Sequence, residues 1–231
     1  MSDTIKSPDT IKSPDTIKSK VDDPELILRR RQQLTEAAIE LFSERGYHTT
    51  TIRDVAERAN VSIGLIYQYV EDKEDLLYLA LAQVLDSYKA RIPVALDGVA
   101  EPLDRFCTAV RTYCRVNGES VAATVLAYRE TKSLRKERRN LIKQTEVETN
   151  ELIAACVRDC VEAGLFDAVD VELFTHQIVM FSHGWALKAW RFASRMDVEE
   201  YVDRGLSMML RQVLTARGER RLRHSTCCGA A

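Results

Sequence analysis

The sequence predicts an all-α protein with two helical domains, and three observations support this fold class. The chain of 231 residues contains 45% hydrophobic and 29% charged residues, which is the balance of an ordinary globular protein. Only 5 prolines and 9 glycines interrupt it, whereas Ala, Leu, Glu and Arg, which favour helices, are frequent. Apolar residues recur at intervals of three and four along most of the chain, and alternating apolar and polar runs are scarce.

Residues 1–22 are predicted to be a disordered tail. Residues 4–19 repeat one hexapeptide as TIKSPD, TIKSPD and TIKS, in which Pro, Ser and Asp disfavour regular structure and apolar residues are too few to form a core. A solvated extension is the favoured interpretation. The alternative is weak contact with DNA through its lysines, Lys6, Lys12, Lys18 and Lys20.

Residues 23–75 are predicted to form a helix-turn-helix domain. Its helices are expected at about 24–45, 51–59 and 62–69, with a fourth helix beginning at 72 or 73. Thr51 and Asp54 fit a capping box at the start of the second helix. Asn60 tolerates the left-handed backbone that the turn requires, and Ser62 suits the N-cap of the third helix.

The third helix is predicted to enter the major groove of DNA. Helices two and three must cross at a fixed angle, and Val55, Ala56, Val61 and Ile66 fit the small core between them, so the other side chains of helix three face outward. Gly64 allows the backbone to approach a duplex closely. A single outward tyrosine is more often a half-buried aromatic residue, but the turn, the caps and the spacing together favour DNA contact.

These outward side chains offer the chemistry that DNA requires. Tyrosine hydroxyls can reach phosphates, Gln68 can make paired hydrogen bonds to adenine, and Arg53 can reach a guanine edge. Thr51 and Lys73 lie at helix N-termini, which favour phosphate. The predicted DNA contacts are Thr51, Arg53, Ser62, Ile63, Gly64, Leu65, Tyr67, Gln68, Tyr69 and Lys73.

The stretch from 46 to 74 resembles the DNA-binding domain of TetR/AcrR-type transcriptional regulators. The matching positions are Gly46-Tyr47, Thr50-Thr51, Ile52, Val55-Ala56, Ala59, Val61-Ser62, Gly64, Tyr67, Tyr69 and Lys73-Glu74. The chain departs at Asn60, where the family usually has glycine, and at Val70, where it usually has phenylalanine. The motif is specific for the family, but it does not identify the operator.

The resemblance implies a homodimer that binds a palindromic operator and releases it when a small molecule enters a C-terminal ligand-binding and dimerisation domain. That domain is assigned to residues 76–216, followed by a disordered basic tail over 217–231. Its helices are expected at about 102–117, 121–132, 136–163, 170–192 and 198–216, after a fourth helix that ends near Pro93. The last two helices are apolar over more than one face, which suits either a four-helix dimer interface or burial inside the domain.

A small-molecule pocket is predicted among helices four to eight, because aromatic and methionine side chains there accompany a few polar groups. Helical cores use the same residues, so each could instead be a core position. The candidate lining residues are Phe106, Val110, Tyr113, Leu126, Tyr128, Ile153, Val157, Phe174, His176, Gln177, Met180, His183 and Trp190.

The run 129–143 contains 7 Lys/Arg against 2 Asp/Glu. It is either a solvated, partly ion-paired surface or an anion site at the mouth of the pocket. The candidate rim residues are Arg129, Lys132, Arg135, Lys136, Arg138 and Arg139. An apolar cavity with a basic rim would suit an acyl-CoA thioester, because arginines bind phosphates well.

Charge, cysteines and hydropathy limit how the chain can bind DNA, whether it binds a metal and where it is located. Residues 20–75 hold 8 Lys/Arg against 12 Asp/Glu, so DNA binding must depend on a local basic face. Cys156 and Cys160 lie one helical turn apart without a paired ligand cluster, so neither a metal nor a cofactor is predicted. The chain lacks the ~18 consecutive apolar residues of a membrane span and an N-terminal secretory signal, which predicts a cytoplasmic protein without a membrane partner.

The leading hypothesis is a ligand-responsive repressor whose partners are double-stranded operator DNA, a second copy of the chain and a small effector, with an acyl-CoA favoured. One alternative is a regulator of an efflux or detoxification gene that senses lipophilic or aromatic compounds. Another is a helical adaptor that binds a protein partner. An enzyme is not supported, because the sequence has only 4 histidines, no glycine-rich phosphate loop and no nucleophile elbow.

Overall fold

Ten α-helices and one short 3-10 turn (η1) form the regular structure of residues 17–225, the part of the chain that this computed structural model describes. They are α1 (Pro24–Arg45), α2 (Ile52–Arg58), α3 (Ile63–Tyr69), α4 (Lys73–Leu96), α5 (Pro102–Glu119), α6 (Val121–Glu130), η1 (Thr131–Ser133), α7 (Lys136–Glu162), α8 (Val171–Phe192), α9 (Val198–Val213) and α10 (Ala216–Leu222). The all-α fold class predicted from the sequence is confirmed.

Helices α1 to α3 begin where local capping chemistry places them. The Asp23 carboxylate caps α1, and the Thr51 hydroxyl accepts from the Asp54 backbone at 3.2 Å while the Asp54 carboxylate accepts from the Thr51 backbone at 2.7 Å. Asn60 has φ 53°, and the Ser62 hydroxyl caps α3. The predicted capping box, left-handed turn and N-cap are therefore confirmed, because each satisfies backbone groups that a helix end leaves unpaired.

Helix α4 joins the N-terminal helices to the rest of the protein. It packs against α1, α5, α6 and α7, so it contacts the helix-turn-helix and the larger helical body. The sequence predicted that it would end near Pro93, and this is wrong because the helix continues to Leu96. A proline removes one N–H donor, but the remaining backbone carries the helix through its last turn.

The N-terminal tail prediction is corrected in part. Residues 1–16, which include most of the repeated hexapeptide, lie outside the described residues. The next residues pack on the helix-turn-helix: Ile17 is only 3% exposed, and the Lys20 backbone donates to the Gln68 carbonyl at 2.8 Å. An isoleucine that buries its side chain supplies contacts that the composition of the repeat did not suggest.

The C-terminal tail prediction is also corrected, because α10 occupies part of 217–231. The Thr215 hydroxyl caps α10 by accepting from the Gly218 backbone at 3.0 Å. Gly218 fits so closely that an added Cβ would lie 2.1 Å from the Leu165 carbonyl oxygen. Residues 226–231 lie outside the described residues.

The hydrophobic core of the body lies where α4, α5, α7 and α8 meet. Its largest fully buried side chains include Tyr88, Phe106, Tyr113, Ile153 and Ile178. Among residues 17–225, no helix combines the length and the apolarity that crossing a bilayer requires.

Candidate DNA interface and effector site

The outer face of α3 presents most of the side chains predicted to contact DNA. The exposed members of that set are Ser62, Ile63, Gly64, Tyr67 and Gln68 on α3 and its cap, with Thr51 and Arg53 at the start of α2. Ile66 on the opposite face is fully buried and anchors α3 to the core. The helix is therefore held from one side and open to a partner on the other.

Gly64 has no role in the internal packing of the described residues. Its backbone is helical, and an added Cβ would meet only the Ser62 hydroxyl, at 4.0 Å. Neither a strained turn nor a close internal contact requires glycine here. A missing side chain on the exposed face instead leaves room for an external surface to approach the α3 backbone, which is the property expected of a groove-contacting helix.

Two predicted DNA contacts on α3 are placed differently by the structure. Tyr69 is only 3% exposed, so the prediction of an outward Tyr69 is wrong. It follows Ile66 by three residues, and positions three apart share one helix face. Leu65 is partly buried against the core rather than fully outward.

Lys73 was predicted to contact phosphate, but its ammonium group serves the loop between α1 and α2. Lys73 Nζ donates to the carbonyl of Tyr47 at 2.8 Å, to that of Thr50 at 2.9 Å and to that of His48 at 3.3 Å. It also lies 4.4 Å from the Tyr47 ring centroid. Burial lowers the pKa of Lys73. The side chain therefore ties the start of α4 to the loop between α1 and α2.

A cavity of about 280 Å³ lies between α4, α6, α7 and α8. Its lining residues are Leu81, Val84, Leu85, Tyr88, Thr124, Ala127, Tyr128, Thr131, Ile142, Lys143, Glu146 and His183. Aliphatic side chains of α4 form one wall, and polar groups of α6, α7 and α8 occupy the rest. An apolar chamber with a few convergent polar groups is typical of a small-molecule site.

His183 is the centre of the polar side of the cavity. Its Nδ1 lies 2.8 Å from the Tyr128 hydroxyl, and its Nε2 lies 3.4 Å from the Tyr113 hydroxyl. Burial, with a smaller contribution from His176, lowers the pKa of His183 from 6.5 to about 4. The imidazole is therefore neutral near pH 7, and its one donor and one acceptor nitrogen connect the two tyrosines.

A second buried network supports the cavity wall from behind. Asn117 is fully buried, and its amide oxygen accepts from the Tyr88 hydroxyl at 2.8 Å and the Thr124 hydroxyl at 3.1 Å. Its amide nitrogen donates to the Ser182 hydroxyl at 2.6 Å. Each bond satisfies a polar group that would be costly to bury alone. The network fixes side chains of α4, α6 and α8 relative to one another.

Of the thirteen residues predicted to line the pocket, only Tyr128 and His183 do so. Five others are core residues (Phe106, Val110, Ile153, Val157 and Phe174), and Tyr113 lies behind the wall. Leu126 faces a separate cleft between α1 and α6. His176, Gln177, Met180 and Trp190 are exposed. The helical rotation of α8 turns its 182–183 side inward and these four residues outward, which the residue types did not reveal.

The sequence analysis missed the α4 wall of the cavity. Leu81, Val84, Leu85 and Tyr88 follow one another at helical spacing, and this stripe was available in the sequence as a signal. The pocket was predicted among helices four to eight, but no residue of this stripe was named, because nothing in the pattern distinguishes a core stripe from a cavity wall. Lys143 of α7, which also lines the cavity, was outside the predicted rim.

The predicted anion rim is corrected at two positions, because Arg135 and Arg138 bind the acidic start of α4. Arg135 Nε lies 2.8 Å from a Glu74 carboxylate oxygen, and the Arg135 backbone donates to the other oxygen at 2.8 Å. Arg138 is ion-paired with Asp75, whose side chain is fully buried. These guanidinium groups are occupied in the structure. The other rim candidates, Arg129, Lys132, Lys136 and Arg139, are exposed or partly exposed.

The cavity wall continues directly into the contact with the helix-turn-helix. Thr131 lines the cavity, and two residues later the Ser133 hydroxyl donates to Glu130 at 2.7 Å and lies 3.4 Å from His48 Nε2. His48 belongs to the α1–α2 loop that Lys73 also holds. The cavity-lining Thr131 is therefore only two residues from Ser133, which contacts the helix-turn-helix at His48.

Helices α8 and α9 carry large apolar side chains that the chain itself leaves exposed. Leu173, Met180 and Trp190 on α8 are 54%, 40% and 77% exposed, and Met208 on α9 is 70% exposed. Between the two helices, Phe181 stacks on Tyr201 at 4.5 Å. One side of this helix pair is therefore internal core, and the four exposed apolar side chains lie outside that core. Among residues 17–225, no group of three or more His, Cys, Asp or Glu side chains is arranged to hold a metal ion.

An exposed helix-turn-helix, joined through a shared helix to a helical body with a cavity between its helices, defines the class of helix-turn-helix transcriptional regulators with a ligand-binding domain. Family models agree with this assignment. Residues 34–78 match the model of bacterial regulatory proteins of the tetR family, and residues 99–213 match the tetracyclin repressor-like C-terminal domain. The chain belongs to the TetR family, whose members are transcriptional regulators rather than enzymes.

Individual proteins show the same likeness. The chain is 49% identical over 201 residues to HbdR, an HTH-type transcriptional regulator of Aromatoleum sp. (strain CIB), covering 87% of this chain and 88% of HbdR. A tetR-family regulatory protein from Rhodococcus RHA1 has a TM-score of 0.72 at 25% identity, covering 80% of this chain and 97% of that one. AibR, solved in complex with isovaleryl coenzyme A and operator DNA, has a TM-score of 0.67 at 18% identity, covering 78% and 97%.

Proposed function

We propose that the chain is a repressor that binds a palindromic operator as a homodimer and is released by a small hydrophobic effector. The observation that carries the proposal is the continuity of α4, whose first turn is tied to the α1–α2 loop by Lys73 and whose middle forms the aliphatic wall of the cavity. An effector that moves this wall also moves the base of the DNA-facing domain. The expected cytoplasmic location remains a prediction.

The dimer is proposed to form through α8 and α9. Four apolar side chains are too exposed to contribute to the core of one chain: Leu173, Met180, Trp190 and Met208. A second copy of the chain would bury them, and burial of apolar surface stabilises a complex by about 25 cal/mol for each Å² removed from water. A two-fold arrangement also matches a palindromic site, in which the two recognition helices enter successive major grooves about 34–36 Å apart.

The release step is proposed to be a shift between two populations of the dimer. In one, the two copies of α3 match the groove spacing; in the other, movement of α4 separates them. An effector that prefers the second by about 3 kcal/mol would weaken operator binding by about 150-fold. The ion pairs of Arg135 and Arg138 with the first turn of α4 would transmit movement of α7 to the same helix.

The effector is proposed to be an acyl-CoA thioester. The aliphatic wall of Leu81, Val84 and Leu85 suits an acyl chain, and a cavity of about 280 Å³ accommodates the acyl group rather than the whole coenzyme. Lys143, at the cavity, and Arg139, one turn earlier on α7, are the cations that would meet the phosphates outside. The AibR complex with isovaleryl coenzyme A supports the same effector class on a similar fold.

The alternative effector is a lipophilic or aromatic compound that is bound through the same aliphatic wall. The polar pair of Tyr128 and His183 would then bind a ring substituent, and no cation outside the cavity would contribute. The two effector classes differ in their dependence on Lys143, because only a phosphate-bearing effector requires a positive charge there.

The test uses a duplex that the wild-type protein selects from a randomised library, with operator binding followed by fluorescence anisotropy. Isovaleryl-CoA and a medium-chain acyl-CoA should release the duplex, whereas free CoA should not, and Lys143→Ala should weaken the response. Release by hydrophobic or aromatic compounds without CoA, with no effect of the thioesters, would support the alternative. If no duplex is selected, the repressor proposal is wrong and the helical adaptor becomes the better hypothesis.

A cavity-filling variant localises the effector. Ala127→Phe places a ring at the cavity wall, and Ala90→Phe adds the same ring on the solvent-exposed side of α4. We expect Ala127→Phe to keep operator binding and lose the effector response, whereas Ala90→Phe should keep both. An unchanged response in Ala127→Phe would mean that the effector binds elsewhere.

A further inference from the structure

Residues 17–19, which end the last and incomplete copy of the repeated hexapeptide, have a defined place in the fold together with Lys20. We define residues 17–20 as the N-terminal arm. The Ser19 hydroxyl and the Lys20 backbone both donate to the carbonyl of Gln68, at 3.0 Å and 2.8 Å. Gln68 lies in the last turn of α3, so the arm runs alongside the C-terminal end of the helix that is proposed to enter the major groove.

A buried arginine fixes the arm and α3 to each other. Arg31 of α1 is 8% exposed, and its guanidinium donates to the Ile17 carbonyl at 2.7 Å and to the Tyr69 carbonyl at 3.1 Å. Ile17 itself is 3% exposed. A buried guanidinium needs acceptors for its N–H groups, and here one acceptor comes from the arm and the other from the end of α3. The arm is thus attached through its backbone and its isoleucine.

This attachment involves the backbone N–H of Lys20 but the side chain of neither Lys18 nor Lys20. Lys18 and Lys20 are both exposed, while the residues around them are held by Ile17 and Ser19. Backbone attachment to Gln68 therefore keeps both exposed lysines close in the chain to the C-terminal end of α3. Lysine ammonium groups act as mobile point charges that suit phosphate oxygens.

The helix-turn-helix needs such charges, because α3 itself contains no lysine or arginine. Two cations of this domain are already used internally. Arg58 is ion-paired with Glu40 at 2.8 Å and with Glu44 at 3.0 Å, and Lys73 is bound to three backbone carbonyls. The domain is acidic in sum, yet phosphate contacts supply most of the affinity for DNA.

We propose that the N-terminal arm is part of the DNA interface, with Lys18 and Lys20 contacting backbone phosphates beside the groove that α3 enters. This inference rests on the proposed operator binding and adds a contact that the helix-turn-helix does not itself contain. It also gives the lysine of the TIKS segment a role, since Ile17 and Ser19 anchor the segment and Lys18 between them faces outward.

The test compares Lys18→Ala/Lys20→Ala with the matched control Arg220→Ala/Arg223→Ala, which removes two exposed cations from the C-terminal end of the chain. Binding to the duplex selected by the wild-type protein is measured across a range of KCl concentrations. Each lost phosphate contact should reduce the magnitude of the slope of log K against log[salt] by about 0.9. Because the arm variant removes two contacts from each protomer, the magnitude of its slope should be smaller by about 2 per protomer. Its affinity at low salt should fall at least about 10-fold, with the control unchanged.

The outcomes separate the arm from the proposed function. If the wild-type protein binds the selected duplex and the arm variant has an unchanged salt slope, the proposal that the arm contacts phosphates is wrong. A wild-type protein that selects no duplex would overturn operator binding itself. The slope should fall equally on a duplex of mixed sequence, because phosphate contacts carry no sequence information. A loss confined to the selected duplex would contradict the assignment to phosphates. Melting temperatures of both variants should match that of the wild type, since all four side chains are exposed.

Discussion

The exposed face of α3 and the cavity of the body use their polar groups in opposite ways. On α3, Tyr67 is 42% exposed and Gln68 is exposed beside it, so both side chains are free to meet an external partner. Around the cavity, Tyr128 in the lining and Tyr113 behind it already bond to His183, and Tyr88 and Thr124 bond to Asn117.

This difference separates two forms of recognition. In the proposed function, a duplex that meets α3 would gain contacts while displacing water, and the long-range charge around α3 would set the affinity. An effector that enters the cavity must fit beside an internal hydrogen-bond network, and a mismatched polar group would leave a buried donor or acceptor unpaired at about 1–3 kcal/mol. The cavity is therefore expected to discriminate chemically among small molecules, whereas DNA recognition by α3 is expected to depend on the geometry of the proposed dimer.

The largest difference in stability is expected between variants of the two tyrosines of α3, which have the same side chain but differ in exposure. Tyr69→Ala should lower the free energy of unfolding by about 3–5 kcal/mol, as for other large aromatic residues truncated in a core. Tyr67→Ala should change it by less than about 0.5 kcal/mol and instead weaken operator binding. Urea denaturation and anisotropy measure the two effects. Equal losses of stability in both variants would remove the contrast.

Variants of the ion pairs at the start of α4 test whether these charges stabilise the contact between α4 and α7. Arg138→Ala leaves the fully buried Asp75 without its guanidinium partner, and breaking such a buried pair costs about 3 kcal/mol or more. Lys136→Ala, which removes an exposed cation two residues earlier on α7, is the matched control and should have little effect. Similar urea midpoints for the two variants would show that the buried pair contributes no net stability.

The pH dependence of stability should reveal the lowered pKa of the buried His183. Its pKa is about 4 in the folded chain and about 6.5 in the reference state, so the unfolded chain takes up the proton first as pH falls. The stabilisation due to its neutral form is fully present above pH 6.5 and is lost progressively between pH 6.5 and 4, by at most about 3 kcal/mol. The difference in unfolding free energy between wild type and His183→Gln should therefore shrink over this range. A constant difference would contradict a neutral, buried His183.

Gly64→Ala gives the smallest change in stability and the clearest separation of stability from DNA binding. An added Cβ meets only the Ser62 hydroxyl at 4.0 Å, and alanine is the better helix former by up to about 1 kcal/mol. The variant should be as stable as the wild type or slightly more stable, yet bind the selected duplex about 10-fold more weakly. Unchanged affinity would show that the α3 backbone does not come close to the duplex at this position.

The sequence determined the helix-turn-helix because its information is local. Thr51, Asp54, Asn60 and Ser62 each act on backbone groups within a few residues, so capping and turn chemistry could be inferred without knowing any distant contact. The same holds for the all-α class, which follows from composition and apolar spacing. Tyr69 was misassigned even though it follows the inward Ile66 by three residues, a spacing that places both side chains on one helix face.

Tertiary structure alone decided the cavity and the positions of the terminal segments. Tyr128 and His183 are 55 residues apart and meet only because α6 packs against α8, and Arg135 meets Glu74 across 61 residues. Ile17 is buried because Arg31 and the end of α3 provide a site for it. A helical stripe specifies that a face is apolar, but whether that face meets another helix, a cavity or water depends on helix rotation and packing, which no local pattern encodes.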